Sequence, residues 1–135
     1  MTNVKLSNSL TEIDSSLFKG CKNLTSVVIP ASVINVDIPR YNGGALEGCE
    51  GLTSIIVAEG NPKYDSRGNC NAIIETATNS LIVACQNTVI PEGVTNIGEH
   101  AYFNCRYTQT SITIPEDVTN IEVFAFYYCS LLDTI

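Results

Sequence analysis

Charge is scarce in this sequence, and positive charge is scarcest. Charged residues make up 16% of the 135, and 7 Lys and Arg face 14 Asp and Glu, for a net charge of −7. No basic cluster exists, so nucleic acid is excluded as a partner: counterion release takes several cationic contacts. The same shortage argues against anionic membrane surfaces. Apolar runs are short as well. None approaches the roughly 20 residues that cross a bilayer, so no membrane insertion is expected. The opening MTNVKLSNSL has no basic stretch followed by a long apolar one, and so lacks a signal-peptide pattern.

Chemistry-bearing spacings are missing too. Cys and His are not clustered, which speaks against a metal site. The glycines are scattered turn residues, not a phosphate-cradling loop. DSRGN at 65–69 lacks the alternating oxygen ligands and terminal Glu of a calcium loop. His100, the single histidine, sits in a turn-like GEHAY string with no nucleophile signature beside it, and is expected to be exposed. The carboxylates fall in turn slots and read as a solvated rim; a pair of them working on a polysaccharide is the enzymatic alternative, at the separations glycosidases use. No catalytic residue, metal or cofactor is expected.

What is present is repetition. GCKNLTSVVIP at 20–30 returns as GCEGLTSIIVA at 48–58. The strand-like strings TNVKLS, TSVVIP, TSIIVA, NTVIP and TSITIP close on Ser7, Pro30, Ala58, Pro91 and Pro115. Proline gives no amide hydrogen to a ladder, so it ends a strand there. Alternation sets Val4 and Leu6, Val27 and Ile29, Ile55 and Val57, and Ile112 and Ile114 inward. It sets Lys5, Ser26, Val28, Ser54, Ile56, Ser111 and Thr113 outward. A second extended piece follows, VTNI at 94–97 and 118–121, then a helical or 3₁₀ turn with an aromatic: Phe18, Tyr102 or Phe126. These aromatics are expected in the core. Phe103, Phe124, Tyr127 and Tyr128 are extra and either form a surface patch or cover the chain end.

One such unit has too little apolar surface to fold alone, so about five units are expected to stack in one domain over 1–135. The third differs. NAIIETATNSLIVAC reads as a β-hairpin with TATN as its loop, after the turn-rich EGNPKYDSRGN, making a variant unit at about 59–87 that replaces the helical turn. Cys21, Cys49, Cys105 and Cys129 share one slot and read as a column of buried free thiols. Cys70 and Cys85 bracket the hairpin. Two readings stand for them, a pair of unbridged thiols or a disulfide, and a one-residue register shift would separate them.

The strings LTSVVIPASV, TVIPEGVTNIGEHAYFNC and TSITIPEDVTNIEVFAFYYC resemble the BspA-like (Treponema pallidum-type) leucine-rich repeats, across almost the whole chain. The second unit departs from that pattern before Ala45, and Thr108 or Gln109 stands where a repeat Leu belongs. The resemblance implies an α/β repeat solenoid. In it, short parallel strands on a concave side and short helical or 3₁₀ turns behind wind as a right-handed superhelix with one inserted hairpin. It also implies a bacterial extracellular or cell-surface setting and adhesion to a protein or glycan on another cell or matrix. The expected contact residues are Ser26, Val28, Ser54, Ile56, Ser111 and Thr113 on the sheet face, with Tyr64, Asp65 and Arg67 in the loop. A structural spacer without a ligand is the alternative. CSLLDTI stops within a further strand pattern, which reads as a piece of a longer array or as an edge for end-to-end association.

Overall fold

Residues 3–37, 44–103, 111–127, 129 and 132 are described in the computed structural model. Three strands, β1 (Asn3–Lys5), β3 (Ser26–Ile29) and β5 (Ser54–Val57), form a parallel sheet. Their register is the sequence repeat itself: Val4 pairs with Val27 and Val27 with Ile55. Val27, Ile29, Ile55 and Val57 are buried while Val28 and Ile56 are exposed, as period-two alternation requires. Behind lie the second extended pieces. β2 (Glu12–Ile13) pairs in parallel with β4 (Asn35–Val36).

The remaining strands are β6 (Tyr64–Asp65), β7 (Ala72–Glu75), β8 (Ser80–Ala84), β9 (Asn96–Ile97) and β10 (Asn120–Ile121). They form a five-stranded sheet in the order β10-β9-β8-β7-β6. β8, β9 and β10 run parallel, whereas β6, β7 and β8 alternate in direction. The hairpin loop is the TATN of the sequence, since Glu75 faces Ser80. β8 lies beside β9, and its Ala84 amide donates to the Ala101 carbonyl at 2.9 Å. The hairpin strand therefore replaces both the second extended piece and the turn of its repeat.

The α/β repeat solenoid expected as one right-handed superhelix does not form. Among the described residues there is no α-helix. The one 3₁₀ segment with a described range is Arg67–Asn69, in the loop, and the helical turns of the repeats are hydrogen-bonded turns. Among the described residues the strands fall into three open sheets, none closed on itself. The strings at 87–91 and 112–115 are not laddered strands. What stands is a leucine-rich, mostly parallel β repeat architecture.

Two physical breaks account for the difference. First, the loop after β5 seals both sheet edges with side chains. The Tyr64 hydroxyl accepts the Val36 amide at 3.1 Å, and Ser66 Oγ accepts the Val57 amide at 2.9 Å. A next strand would have supplied those acceptors. Second, the hairpin divides the interior. Ile73, Ile82, Val83 and Cys85 pack into one core with Val27, Ile55 and Leu46, whereas Cys70, Ala72, Ile74, Leu81 and Ala84 pack into another with Ile97 and Tyr102. A bulge between Ile73 and Ile74 lets β8 serve both sides.

The Gly-Cys pairs are joints between repeats. Gly48 has a φ of +76°, and a Cβ there would lie 3.0 Å from Gly20 Cα. The Gly20 amide donates to the Glu47 carbonyl at 2.9 Å, which keeps the two backbones in contact. A side chain would incur left-handed strain and push two backbones apart. Gly48→Ala is expected to lower stability by about 2 kcal/mol in urea denaturation; an unchanged midpoint would mean the repeats do not abut there.

Candidate functional site

The open face is built by the outward slot of successive repeats. Lys5, Val28 and Ile56 stand in register on β1, β3 and β5, and Val89 and Thr113 occupy the same slot further on. Val28 is 43% and Ile56 44% exposed, so two branched aliphatics stand side by side on this sheet face flanked by hydroxyls, and Val89, 72% exposed, carries a third in the same slot of a later repeat. Ser26 and Ser54 are half-buried, while Ser111 and Thr113 are exposed. Beside Ile56 a hollow of about 450 Å³ runs to the loop, lined by Glu59, Asp65, Arg67 and Asn69 among others.

The loop residues expected to make contacts are otherwise engaged. Tyr64 is buried, its hydroxyl spent on Val36. Asp65 holds Arg67 bidentately at 2.8 and 2.7 Å and also accepts from Thr76 at 2.7 Å, while Arg67 donates to Asn79 at 2.9 Å. Burial alone would raise the Asp65 pKa. The Arg67 and Thr76 hydrogen bonds outweigh it and hold the carboxyl below its ordinary value. Ahead of them Asn61 joins two repeats: its amide donates to the Pro30 and Val33 carbonyls, and its oxygen accepts the Lys63 and Tyr64 amides. The sequence reading did not single out Asn61. Its signal was a turn former, in the position where the neighbouring repeat has Val33.

The five described cysteines are free thiols, including Cys70 and Cys85. The hairpin bulge sets Ala72 opposite Ala84, which moves the strand ends out of the register that would face Cys70 toward Cys85. Two of the repeat-slot thiols, Cys49 and Cys129, reach back one repeat. Cys49 Sγ donates to the Phe18 carbonyl at 3.3 Å and Cys129 Sγ to Tyr102 at 3.6 Å, while Cys85 Sγ donates to Asn71 at 3.2 Å. Cys105, the other member of the column, lies outside the described residues. So do Tyr128, much of the second-unit insertion, Thr108, Gln109 and most of the C-terminal string that suggested edge association; Leu132 packs with the second core.

Burial pushes the Cys49 thiol from 9.0 up to about 12, with Cys21 nearby adding to it, and the Cys129 thiol up to about 11. A raised thiol pKa favours the neutral, folded form. Its contribution is whole below pH 9 and is lost as pH climbs toward the folded value, at ~1.4 kcal/mol per pH unit for each group in that window. Denaturation midpoints are therefore expected to fall between pH 9 and about 12, and Cys49→Ala should flatten that slope. An identical slope in the variant would refute the assignment.

His100 is not an exposed turn residue. It is 0% exposed, with a left-handed φ of +56° that turns the ring inward. Phe124, in the same slot of the next repeat, stacks on it at 5.3 Å, and Phe103 and Tyr127 meet it edge-on. Three of the extra aromatics, Phe103, Phe124 and Tyr127, thus pack around an imidazole. Of the three slot aromatics, Phe18 and Tyr102 are in the core and Phe126 is half-buried. Among the described residues no group of three or more His, Cys, Asp or Glu is placed to hold a metal ion, and no helix is long and apolar enough to cross a membrane.

The model of the BspA type leucine rich repeat region matches residues 1–67 and 73–135, in six copies. The unmatched gap falls where the loop enters the hairpin. Three solved structures are similar. A leucine rich cell surface protein from Faecalibacterium prausnitzii is 23% identical over 100% of this chain and 41% of its own, with a TM-score of 0.68. The pneumococcal vaccine antigen PcpA is 21% identical over 82% of this chain and 26% of its own, with a TM-score of 0.60. A leucine-rich repeat protein from Eubacterium ventriosum is 22% identical over 77% of this chain and 27% of its own, with a TM-score of 0.59. The chain thus spans between about a quarter and two fifths of those proteins. No curated protein matches it.

Proposed function

The chain belongs to the BspA type leucine-rich-repeat family, and from that premise we propose that it is a non-enzymatic recognition module whose open sheet face binds a macromolecular partner, a protein or glycan. An extracellular or cell-surface setting goes with this reading. One similar structure is a cell surface protein and another a vaccine antigen. The observation that carries the proposal is the pairing of Val28 with Ile56 on the outward face of the sheet, with Val89 exposed in the same slot of a later repeat. Aliphatic side chains aligned on a wet face gain by being covered, at ~25 cal/mol per Å².

The test is capture of matrix proteins and glycans by the immobilised chain, native against Val28→Ser/Ile56→Ser/Val89→Ser. These exposed side chains carry little of the core, so the thermal midpoint should hold while capture falls about tenfold or more. The spacer reading draws on the loop, where Tyr64, Asp65 and Arg67 are committed to internal bonds. It predicts the same capture from both proteins.

A further inference from the structure

Resting on the recognition reading above, we propose that the groove between residues 88–90 and 111–113, with the carboxylates at its exit, takes a lysine- or arginine-bearing extended segment of a partner protein. The strings NTVIP and TSITIP hold the strand slot of consecutive repeats, yet neither 88–90 nor 112–113 forms a laddered strand. A hollow of about 220 Å³ opens between them, lined by Thr88, Val89, Ile90, Ser111, Ile112 and Thr113. Its walls are aliphatic with a hydroxyl border.

Where the two strings exit, the lining changes sign. Glu92, Pro115, Glu116 and Asp117 line a second hollow of about 340 Å³. Asp117 accepts the Gly93 amide at 2.9 Å, which holds the two turns side by side. Ion pairs among the described residues join Lys19 to Glu47 and Arg67 to Asp65, and neither neutralises these three carboxylates. Glu92 lies two residues beyond Ile90, ~7 Å along an extended chain.

Lysine and arginine carry an aliphatic stem and a cationic head, and they lay the stem on apolar surface while the head seeks charge. The groove presents those two demands in that order. An acidic or sulfated chain would be repelled by the exit, and a neutral sugar would leave the carboxylates uncompensated. A bridging cation finds no group of three or more acidic, His or Cys ligands among the described residues.

The experiment is titration of the full chain with three labelled peptides of about ten residues, followed by fluorescence anisotropy: alternating Lys-Val, alternating Lys-Ser and alternating Glu-Val. Lys-Val is expected to bind at least about tenfold tighter than Lys-Ser, a difference of ~1.4 kcal/mol. Its affinity should weaken with salt, and Glu-Val should not bind. Glu92→Gln/Glu116→Gln should weaken Lys-Val about tenfold. Thr113→Trp, which fills the groove from an exposed position, should abolish binding with the thermal midpoint unmoved. Equal binding of Lys-Val and Lys-Ser, indifference to both variants, or no binding at all would overturn the proposal. If that happens while the Val28, Ile56 and Val89 variant still loses capture, the recognition reading survives and only the cationic occupant is wrong. If capture also stays native, both fall.

Discussion

Ile73→Ala is expected to cost about 2–5 kcal/mol, and Ile74→Ala a similar amount, yet the two will loosen opposite halves of the molecule. Both side chains are 0% exposed, and they are neighbours on β7. Strand geometry sends them to opposite faces, so Ile73 packs with Val27, Ile55 and Leu46 while Ile74 packs with Ile97, Val94 and Tyr102. Each truncation leaves a cavity in one core only. Native-state hydrogen exchange should therefore accelerate around β3 and β5 in Ile73→Ala, and around β9 and β10 in Ile74→Ala. Identical exchange maps would mean that the hairpin does not partition the interior.

Asn61→Ala comes next in size, at about 2–4 kcal/mol from four hydrogen bonds at one side chain. Two of those bonds hold carbonyls of the preceding repeat and two shape the turn that delivers Tyr64 to Val36. Losing both at once frees the seal on β4. Asn61→Asp separates the roles. It keeps the acceptor for Lys63 and Tyr64 but sets a carboxylate against the Pro30 and Val33 carbonyls, so near neutral pH it should be at least as harmful as alanine. Thermal denaturation of both variants decides this. A carboxylate tolerated at native stability would show that the two carbonyl contacts contribute nothing.

The repeat was legible because stacking repeats its demands. Val27, Ile55 and Val4 share a phase in the sequence and share a rung in the sheet. The TATN hairpin loop was legible too, since two apolar runs around a polar turn have few other solutions. The bulge at Ile73/Ile74 was not, for Ala72–Ile74 and Leu81–Ala84 are apolar throughout and alternation leaves no mark in a strand buried on both faces. That loss of pattern hid the partition between cores, and with it the break of the sheets.

At the candidate site, the outward slot could be read from period two, and Val28 and Ile56 are where it puts them. The loop could not. Tyr64, Asp65 and Arg67 look like contact residues because polar turns usually carry them, but here Asp65 and Arg67 hold each other, and the further partners Val36, Thr76 and Asn79 are distant enough in sequence that no local rule links them. His100 deceived for a related reason: a turn slot tolerates many side chains, and its inward aim comes from a left-handed backbone that the residue name does not announce.

The thiol that reaches back to the previous repeat has backbone counterparts. Thr53 and Ser54 donate to Thr25, Ala58 to Ile29, Gln86 to Leu52, Thr119 to Thr95 and Glu122 to Ile97, from later residue to earlier, whereas Gly20 donates forward to Glu47, Ala84 to Ala101 and Tyr102 to Ala125. Acceptors at the backward-reaching joints are already in place when their donors leave the ribosome. A nascent chain can thus fasten those joints onto a finished rung as it emerges, while the Gly20, Ala84 and Tyr102 amides wait for the next repeat to be made.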